Sequence, residues 1–194
     1  MSNLRVTNTV DNKRAPAVTT CTVVDLTDRP RVGFRGAEAG DYLQGHGFNL
    51  PPKPNRSQIQ TDGVQVVRLS NTEYLLLGAE GDNGQRVAIE EESWELSSQA
   101  NYLLPRQDSH AWLQLTGAHI HEVMAKLCGV DLRFDKFSIG AVAQTSAARI
   151  NVIVVNAETD GQPTFHILFD RCSLEYFTAA LLDAMQEFKE HPHG

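Results

Sequence analysis

The feature that most constrains the fold is a pattern that occurs twice along the chain. In its first occurrence, a short β-rich run from Arg31 ends before Gly36 and leads into a helical pattern of about three turns. The helix places Ala39, Tyr42 and Leu43 on one face, and glycines at 45 and 47 stop it. Two β-rich runs in VQVVRLSNTEYLLLG, separated by Ser70-Asn71-Thr72, then predict a hairpin.

The same order returns from Ala111, with Gly117-Ala118 standing where Gly36-Ala37 stood. Thr116 is expected to cap the second helix, and Gly129 to end it. Its apolar stripe is Ile120, Val123, Met124 and Leu127. The runs ARINVIVV and PTFHILF predict a second hairpin, and an amphipathic helix from Leu174 to Lys189 follows as an extra element.

The predicted fold class is α+β, a duplicated strand-helix-hairpin unit with mixed or antiparallel sheets and helices packed on them. Residues 1–22 are expected to be a flexible N-terminal segment, and residues 23–190 a single pseudo-symmetric domain. Its first half covers 23–80, a connection covers 81–102 and the second half covers 103–190. The glutamate-rich connection is predicted to be a surface segment with one edge strand, anchored by Trp94.

Charge and composition exclude several classes of function. Twenty-four acidic against seventeen basic residues give a net charge of -7, and no Lys/Arg-rich stretch exists, so we expect no nucleic-acid partner. Three cysteines without C-x-x-C spacing predict neither a disulfide framework nor a structural zinc. A polar N-terminus and the absence of an apolar run of about 18 residues predict no membrane span and a cytoplasmic location.

Known catalytic motifs are not found. Gly45-His46-Gly47 ends a helix where a dinucleotide fingerprint would open one, and Leu50 stands where that motif needs a small residue. The sequence contains neither a P-loop nor the G-x-S-x-G of α/β-hydrolases. We therefore predict no catalytic, cofactor-binding or metal-ligating residue on this chain.

Histidines and cysteines favour structural roles. His119 and His121 lie two residues apart on a helix, about 200° round its axis, and so are predicted to be surface residues and not ligands of one metal. His166 is predicted to be a hydrogen-bonded sheet histidine facing away from Phe165 and Ile167. Cys128 is expected to be a small buried hydrophobe. Cys172 precedes a helix, a more reactive position, but has no assignable histidine partner.

Two polar runs flank predicted strands and leave alternatives open. Arg106-Gln107-Asp108-Ser109 is one, and Gly140 with Gln144 and Thr145 is the other. Their residues suit turns, caps and hydrogen bonds between the halves at least as well as contacts to a ligand.

Several spaced segments resemble one family in the same order. They are RVGFRGAEAGDYLQGHGFNLPPKPN, LPRQDSHAWLQLTG, MAKLCGVDLRFDKFSIGAVAQTSAARI and FHILFDRCSLEYFTAALLDAMQEF. Together they resemble the gamma subunits of heterotetrameric sarcosine oxidases, from about Asp25 to Phe188. The resemblance implies the fold of the folate-binding domain of the glycine-cleavage T-protein, which agrees with the duplication.

The resemblance also implies a function. In such complexes sarcosine is oxidatively demethylated at a flavin, hydrogen peroxide is produced, and the one-carbon unit passes to tetrahydrofolate. The family places FAD, FMN, NAD, tetrahydrofolate and zinc on other subunits, and the partners would be the alpha, beta and delta chains. We therefore expect a non-catalytic gamma subunit of an oxidoreductase complex.

This sequence departs from the catalytic relatives of that fold. Their K-G-C-Y-x-G-Q-E run is missing, and its nearest echo, Lys126-Leu127-Cys128-Gly129, lacks the Gln-Glu. The alternative is a stand-alone folate-binding or aminomethyltransferase-like protein, which should carry a polar, acid-bearing pocket where the halves meet. A third possibility is an interaction module of an unrelated complex.

Overall fold

The computed structural model describes residues 21–159 and 161–188. The expected flexible segment 1–22 lies outside these residues except for its last two positions, as do His191 and His193 of the tail.

Within residues 21–159 and 161–188, ten strands form two antiparallel sheets of five strands each. The first sheet has the order β3-β4-β5-β2-β6, and the second the order β1-β7-β10-β9-β8. In the first sheet the strands are β2 (Arg31–Arg35), β3 (Arg56–Ile59), β4 (Gln65–Arg68), β5 (Glu73–Leu77) and β6 (Tyr102–Pro105). In the second they are β1 (Thr22–Asp25), β7 (His110–Thr116), β8 (Val142–Ala147), β9 (Ile150–Asn156) and β10 (Thr164–Asp170).

In the described part of the chain, four α-helices cover the outer faces of the sheets. They are α1 (Ala39–Gly45), α2 (Gln85–Ser93), α3 (Ile120–Ala125) and α4 (Leu174–Ala184), with short 3-10 helices at Arg171–Ser173 and Gln186–Phe188. One core packs α1 and α2 against the first sheet, and another packs α3 and α4 against the second. A third core joins the inner faces of the two sheets, so the layers run helix, sheet, sheet, helix. Among the described helices, none has the length and apolarity that crossing a bilayer requires.

The duplication predicted around Gly36 and Gly117 is confirmed. Each unit runs from a strand through a helix into three more strands, and the sheet orders β3-β4-β5-β2 and β8-β9-β10-β7 are the same. Each unit is preceded by one further strand, and these two are exchanged. β1 precedes the first unit but pairs with β7, while β6 precedes the second unit but pairs with β2.

The two glycines make the same turn from strand into helix. Gly36 has φ +149° and Gly117 has φ +139°. The amide of Gly36 donates to the Thr72 carbonyl at 2.9 Å, and that of Gly117 to the Pro163 carbonyl at 3.1 Å. A Cβ on Gly36 would stand 1.9 Å from the carbonyl oxygen of Ala100, so the position requires glycine.

The connection is not only a surface segment with one edge strand, as expected. It contains helix α2, which has a single buried residue, Val87. The helix α4 is therefore not an extra element of the second half, because α2 follows β5 as α4 follows β10. The sequence analysis missed this helix because the segment is acidic and the helix buries only one side chain.

Helix ends also differ from expectation. α1 has two turns, not three, and ends in a Schellman motif in which Gly47, at φ +82°, donates to Gln44 and Phe48 donates to Leu43. α3 ends at Ala125, before Leu127, so Gly129 is not its stop.

The start of α3 was also predicted wrongly. Thr116 is the last residue of β7, and the helix has no side-chain cap. The buried stripe Ile120, Val123 and Met124 is confirmed.

Candidate functional site

The two halves meet through an apolar core between the sheets. β4 and β5 contribute Val67, Leu75 and Leu77, and the second sheet contributes Trp112 and Leu168, all buried. Apolar side chains thus fill the space in which the folate-binding alternative predicts a polar, acid-bearing pocket. Burial of this surface holds the halves together at roughly 25 cal/mol per Å² of apolar area.

One cavity of about 210 Å³ remains at the edge of this junction. Ile59 from the first half and Ile139 from the second line it, and among the described residues Glu158 is the acid in its lining. The amide of Ser57 donates to the Gly140 carbonyl at 2.7 Å, which joins β3 to the second half beside the cavity. Ligand pockets usually measure at least about 300 Å³, so this cavity suits a side chain better than a folate.

Apolar side chains stand exposed around this cavity. Ile59 is 46% and Ile139 is 59% exposed, and they line the cavity from opposite halves. Single exposed apolar residues are common, but two that line one cavity form a candidate interaction surface. We call Ile59 and Ile139 the junction patch. The sequence analysis did not single out these residues, because apolar residues in strands and loops give no signal of exposure.

A buried arginine joins the halves on another side of the junction. Arg31 is fully buried, and its guanidinium donates to the carbonyls of Thr27, Arg29, Gln107 and His110. Burial, and then the charge of Arg171, lower the pKa of Arg31 to about 10, while nearby acids oppose this shift. Sequence reasoning missed Arg31, since arginine is rarely buried.

The run Arg106-Gln107-Asp108-Ser109 lies in this network. The Gln107 carbonyl also accepts from Arg171 at 2.6 Å, and the Gln107 side chain donates to Thr27 at 3.3 Å. Arg106 pairs with Glu73 at 2.9 Å. The hydrogen bonds between halves that the sequence analysis allowed for this run are therefore present.

The second polar run has the same role. The side-chain amide of Gln144 donates to Leu69 at 2.7 Å and to the Asn55 side chain at 2.8 Å, across the junction. Gly140 adopts φ +74° where a Cβ would press to 2.8 Å on Ser57. Thr145 lies in β8, paired with Val152.

The histidines take structural positions. Nε1 of Trp112 donates to Nδ1 of His166 at 2.6 Å, which confirms the predicted sheet histidine. Burial, and then the charge of Arg29, lower the pKa of His166 to about 3. His46 contacts Glu90 at 2.8 Å.

His119 and His121 do approach one acid, although they lie on different sides of the helix. Their ring nitrogens lie 3.3 Å and 3.1 Å from the two oxygens of Glu122. No group of three or more metal-ligating side chains occurs in residues 21–159 and 161–188.

The three cysteines lie in different surroundings. Cys128 is buried in the core of the second half, as predicted. Cys172 is exposed, and its amide donates to the Asp170 side chain at 2.8 Å. Burial raises the pKa of Cys21, and the charge of Glu122 adds to this, although a hydrogen bond from the His119 amide opposes it.

The echo of the folate-domain run forms a helix contact. Nζ of Lys126 donates to the Ala184 carbonyl at 2.8 Å and pairs with Glu187 at 2.6 Å. It also lies 4.9 Å from the ring centre of Phe188. This lysine therefore fixes the end of α4 against α3.

Comparisons with known proteins support the fold. No protein-family model and no curated protein matches the sequence significantly. Among solved structures, a chain of heterotetrameric sarcosine oxidase from Corynebacterium sp. U-96 is similar with a TM-score of 0.72 and 22% identity, over 92% of this chain and 90% of that chain. The aminomethyltransferase T of the glycine cleavage system from Bartonella henselae has a TM-score of 0.62 and 15% identity, over 86% of this chain.

The second match covers 46% of the aminomethyltransferase, so this chain spans about half its length. The first covers 90% of a chain of similar size. Both likenesses show the expected fold.

Proposed function

We propose that this chain is a non-catalytic subunit of a heterotetrameric oxidoreductase of the sarcosine oxidase type, in the place of its gamma subunit. Its partners would be the alpha, beta and delta chains, which would carry FAD, FMN, NAD, tetrahydrofolate and zinc. The complex would demethylate sarcosine oxidatively, produce hydrogen peroxide and transfer the one-carbon unit to tetrahydrofolate. This chain would contribute a scaffold and a contact surface.

The observation that carries the proposal is the junction between the two halves. The junction contains an apolar core, a cavity of about 210 Å³ and a patch of exposed apolar side chains. The folate-binding alternative predicts a polar pocket at this place. The likeness in fold to a chain of a sarcosine oxidase supports the assignment to that type of complex.

The junction patch is the surface we assign to the partner subunits. Ile59 and Ile139 flank a cavity large enough for one apolar side chain of a partner. Closing it would remove both isoleucines from water, which stabilises a complex by about 1 kcal/mol or more for each side chain.

Co-expression with the flavin-bearing and delta subunits of a sarcosine oxidase from the same source, followed by affinity purification through this chain, tests the proposal. We expect one copy of each subunit to be recovered with sarcosine-dependent peroxide production. If no stoichiometric complex forms, the proposed function is wrong. A separate titration of the free chain with tetrahydrofolate addresses the alternative, since saturable binding would favour the stand-alone folate protein.

Matched variants locate the surface. Ile139→Asp should reduce the recovered complex at least tenfold, because a carboxylate would be buried in the contact. Leu96→Asp is the control, since Leu96 is 72% exposed in the segment between the halves. If only Leu96→Asp weakens assembly, the subunit role stands and the junction patch is the wrong surface.

A further inference from the structure

A groove on the described surface lies in the first half, away from the junction. It measures about 320 Å³ and runs between α1 and the turn that joins β4 to β5. Its polar lining comes from Asp41, Gln44, Arg68, Asn71 and Tyr74, and prolines 51 and 52 form an apolar side. The proposed function assigns no role to this groove.

Arg68 is held in place with part of its guanidinium unused. Its Nε donates to the Ser70 carbonyl at 3.3 Å, and one terminal nitrogen donates to the Pro51 carbonyl at 3.1 Å. The guanidinium lies over the Tyr74 ring, 5.6 Å from its centre. Its other terminal nitrogen has no hydrogen-bond partner, and Arg68 no ion-pair partner, among residues 21–159 and 161–188. A fixed cation is thus available in the groove.

The Tyr74 hydroxyl adds a second donor. The side chain is 97% buried, since its exposed fraction is 3%, and within the described chain its hydroxyl has no hydrogen-bond partner. A Cβ on Gly40 would stand 3.1 Å from that hydroxyl, so glycine leaves the space in front of it open. Tyr74 belongs to the groove lining, so its hydroxyl can donate a hydrogen bond to a ligand bound there.

The second half shows that the fold does not require this groove. Tyr74 pairs with Phe34, two residues before Gly36, and Phe165 pairs with Leu115, two residues before Gly117. Phe165 therefore replaces Tyr74.

By the same register Asn156 replaces Arg68, since each is the β-partner of that aromatic residue. Asn156 donates to the Phe137 carbonyl at 2.7 Å, and the Phe137 ring packs on Phe165 at 5.7 Å. The second half thus fills with Phe137 the space that the first half leaves open beside Pro51.

We propose that the groove binds a small molecule that carries both a carboxylate and an ammonium group, such as a free amino acid. A guanidinium and a phenol hydroxyl donate to a carboxylate, and the arginine fork suits its geometry. The Asp41 side chain lies on the same groove and accepts from an ammonium group, while it disfavours a second carboxylate on the ligand. The proposal is independent of the proposed function, because it concerns another surface.

Titration of the isotope-labelled full chain with glycine, acetate or methylammonium, followed by amide NMR, tests it. Glycine should give saturable shifts confined to α1 and the β4–β5 turn, with a millimolar dissociation constant. Acetate and methylammonium should each bind about tenfold more weakly, because each loses one charged contact. Shifts that do not saturate, or that spread evenly over the surface, would overturn the proposal.

Four variants separate the contacts. Arg68→Gln and Tyr74→Phe should weaken glycine and acetate about tenfold, and Asp41→Asn should weaken glycine and methylammonium while leaving acetate unchanged. Tyr74→Phe removes only the hydroxyl, and the second half tolerates phenylalanine at this place, so it tests the site even if Arg68→Gln unfolds the chain. Arg133→Gln, in the loop after α3, is the control and should change nothing. Equal binding by Tyr74→Phe, Asp41→Asn and the unchanged chain would exclude the site.

Discussion

The two copies of the repeated unit use the same backbone but fill equivalent places with opposite chemistry. Five residues before each glycine, the first copy has Arg31 and the second has Trp112. Both are buried and both pair with a leucine in the neighbouring strand, Leu77 or Leu168. The backbone therefore determines that this position is buried. Whether a charged side chain is tolerated there depends on the hydrogen-bond acceptors around it, which Arg31 finds in four carbonyl groups.

The halves also differ at the helix that follows each glycine. Beside α1 the first copy keeps an open polar groove, and beside α3 the second copy is closed by Phe137. The second copy is thus packed at this place, while the first copy keeps a groove there lined by polar side chains.

The largest effect is expected at Arg31. Arg31→Met should lower the free energy of unfolding by about 4–5 kcal/mol, because the buried carbonyls that the guanidinium contacts lose a charged donor. Urea unfolding measures the change. Trp112→Phe, at the equivalent place, should cost clearly less, and a larger loss there would mean that the aromatic copy is the tighter link between the halves.

Phe137 should be the next most important residue for stability. Phe137→Ala would leave a cavity over Phe165 and cost about 3–4 kcal/mol. Pro51→Ala in the first half should cost less than about 1 kcal/mol, mostly through the entropy of the unfolded chain. Equal losses in thermal melts of the two variants would contradict a packed and an open half.

Gly36 tests how tightly the first turn is closed. Gly36→Ala should cost about 2–3 kcal/mol, because a Cβ meets the Ala100 carbonyl at 1.9 Å in a left-handed conformation. Gly45→Ala has open space and a helical backbone, and should be neutral or slightly stabilising. Chemical denaturation of both variants measures the change in the free energy of unfolding. If Gly36→Ala left this free energy unchanged, the segment around Ala100 would be able to move away.

The smallest expected effect is a pH dependence of the second sheet. His166 has its pKa lowered to about 3, below the value of about 6.5 in an unfolded chain. Between these values the unfolded state binds more protons, so stability is complete above about pH 6.5 and falls as the pH decreases toward 3.

From pH 7 to 5 the contribution of His166 is about 1–2 kcal/mol. The strands of the first sheet contain no histidine, so hydrogen exchange should speed up in β9 and β10 before β4 and β5. His166→Gln should make this dependence shallower but not remove it, because burial also lowers the pKa of His110 in β7 to about 4. An unchanged slope would show that His166 does not contribute.

The sequence predicted what is local. β-rich runs separated by turn residues predicted the hairpins β4–β5 and β9–β10, and the helical stripe at Ile120, Val123 and Met124 predicted α3. Helix α2 escaped prediction, because it buries only Val87 and is otherwise rich in glutamate.

Long-range features gave no signal in the sequence. The exchange of β1 and β6 depends on pairing between distant strands, which no local pattern encodes. Of the junction, the polar contacts of Gln107 and Gln144 were within reach of sequence reasoning, because short polar runs beside strands often bond across an interface. The exposure of Ile59 and Ile139 could not be predicted, since hydrophobicity alone does not distinguish an inward from an outward side chain.

Because β1 and β6 are exchanged, the sheet of each half contains one strand that precedes the other half in the sequence. A polypeptide that carried only one unit with its leading strand would have no sheet of its own to receive that strand, so two copies would be expected to intertwine as a twofold homodimer. Cutting the backbone between α2 and β6 should leave two fragments that remain associated, because each fragment contributes a strand to the sheet of the other. Circular permutation through that segment, with the original ends joined by a linker, would then preserve the architecture.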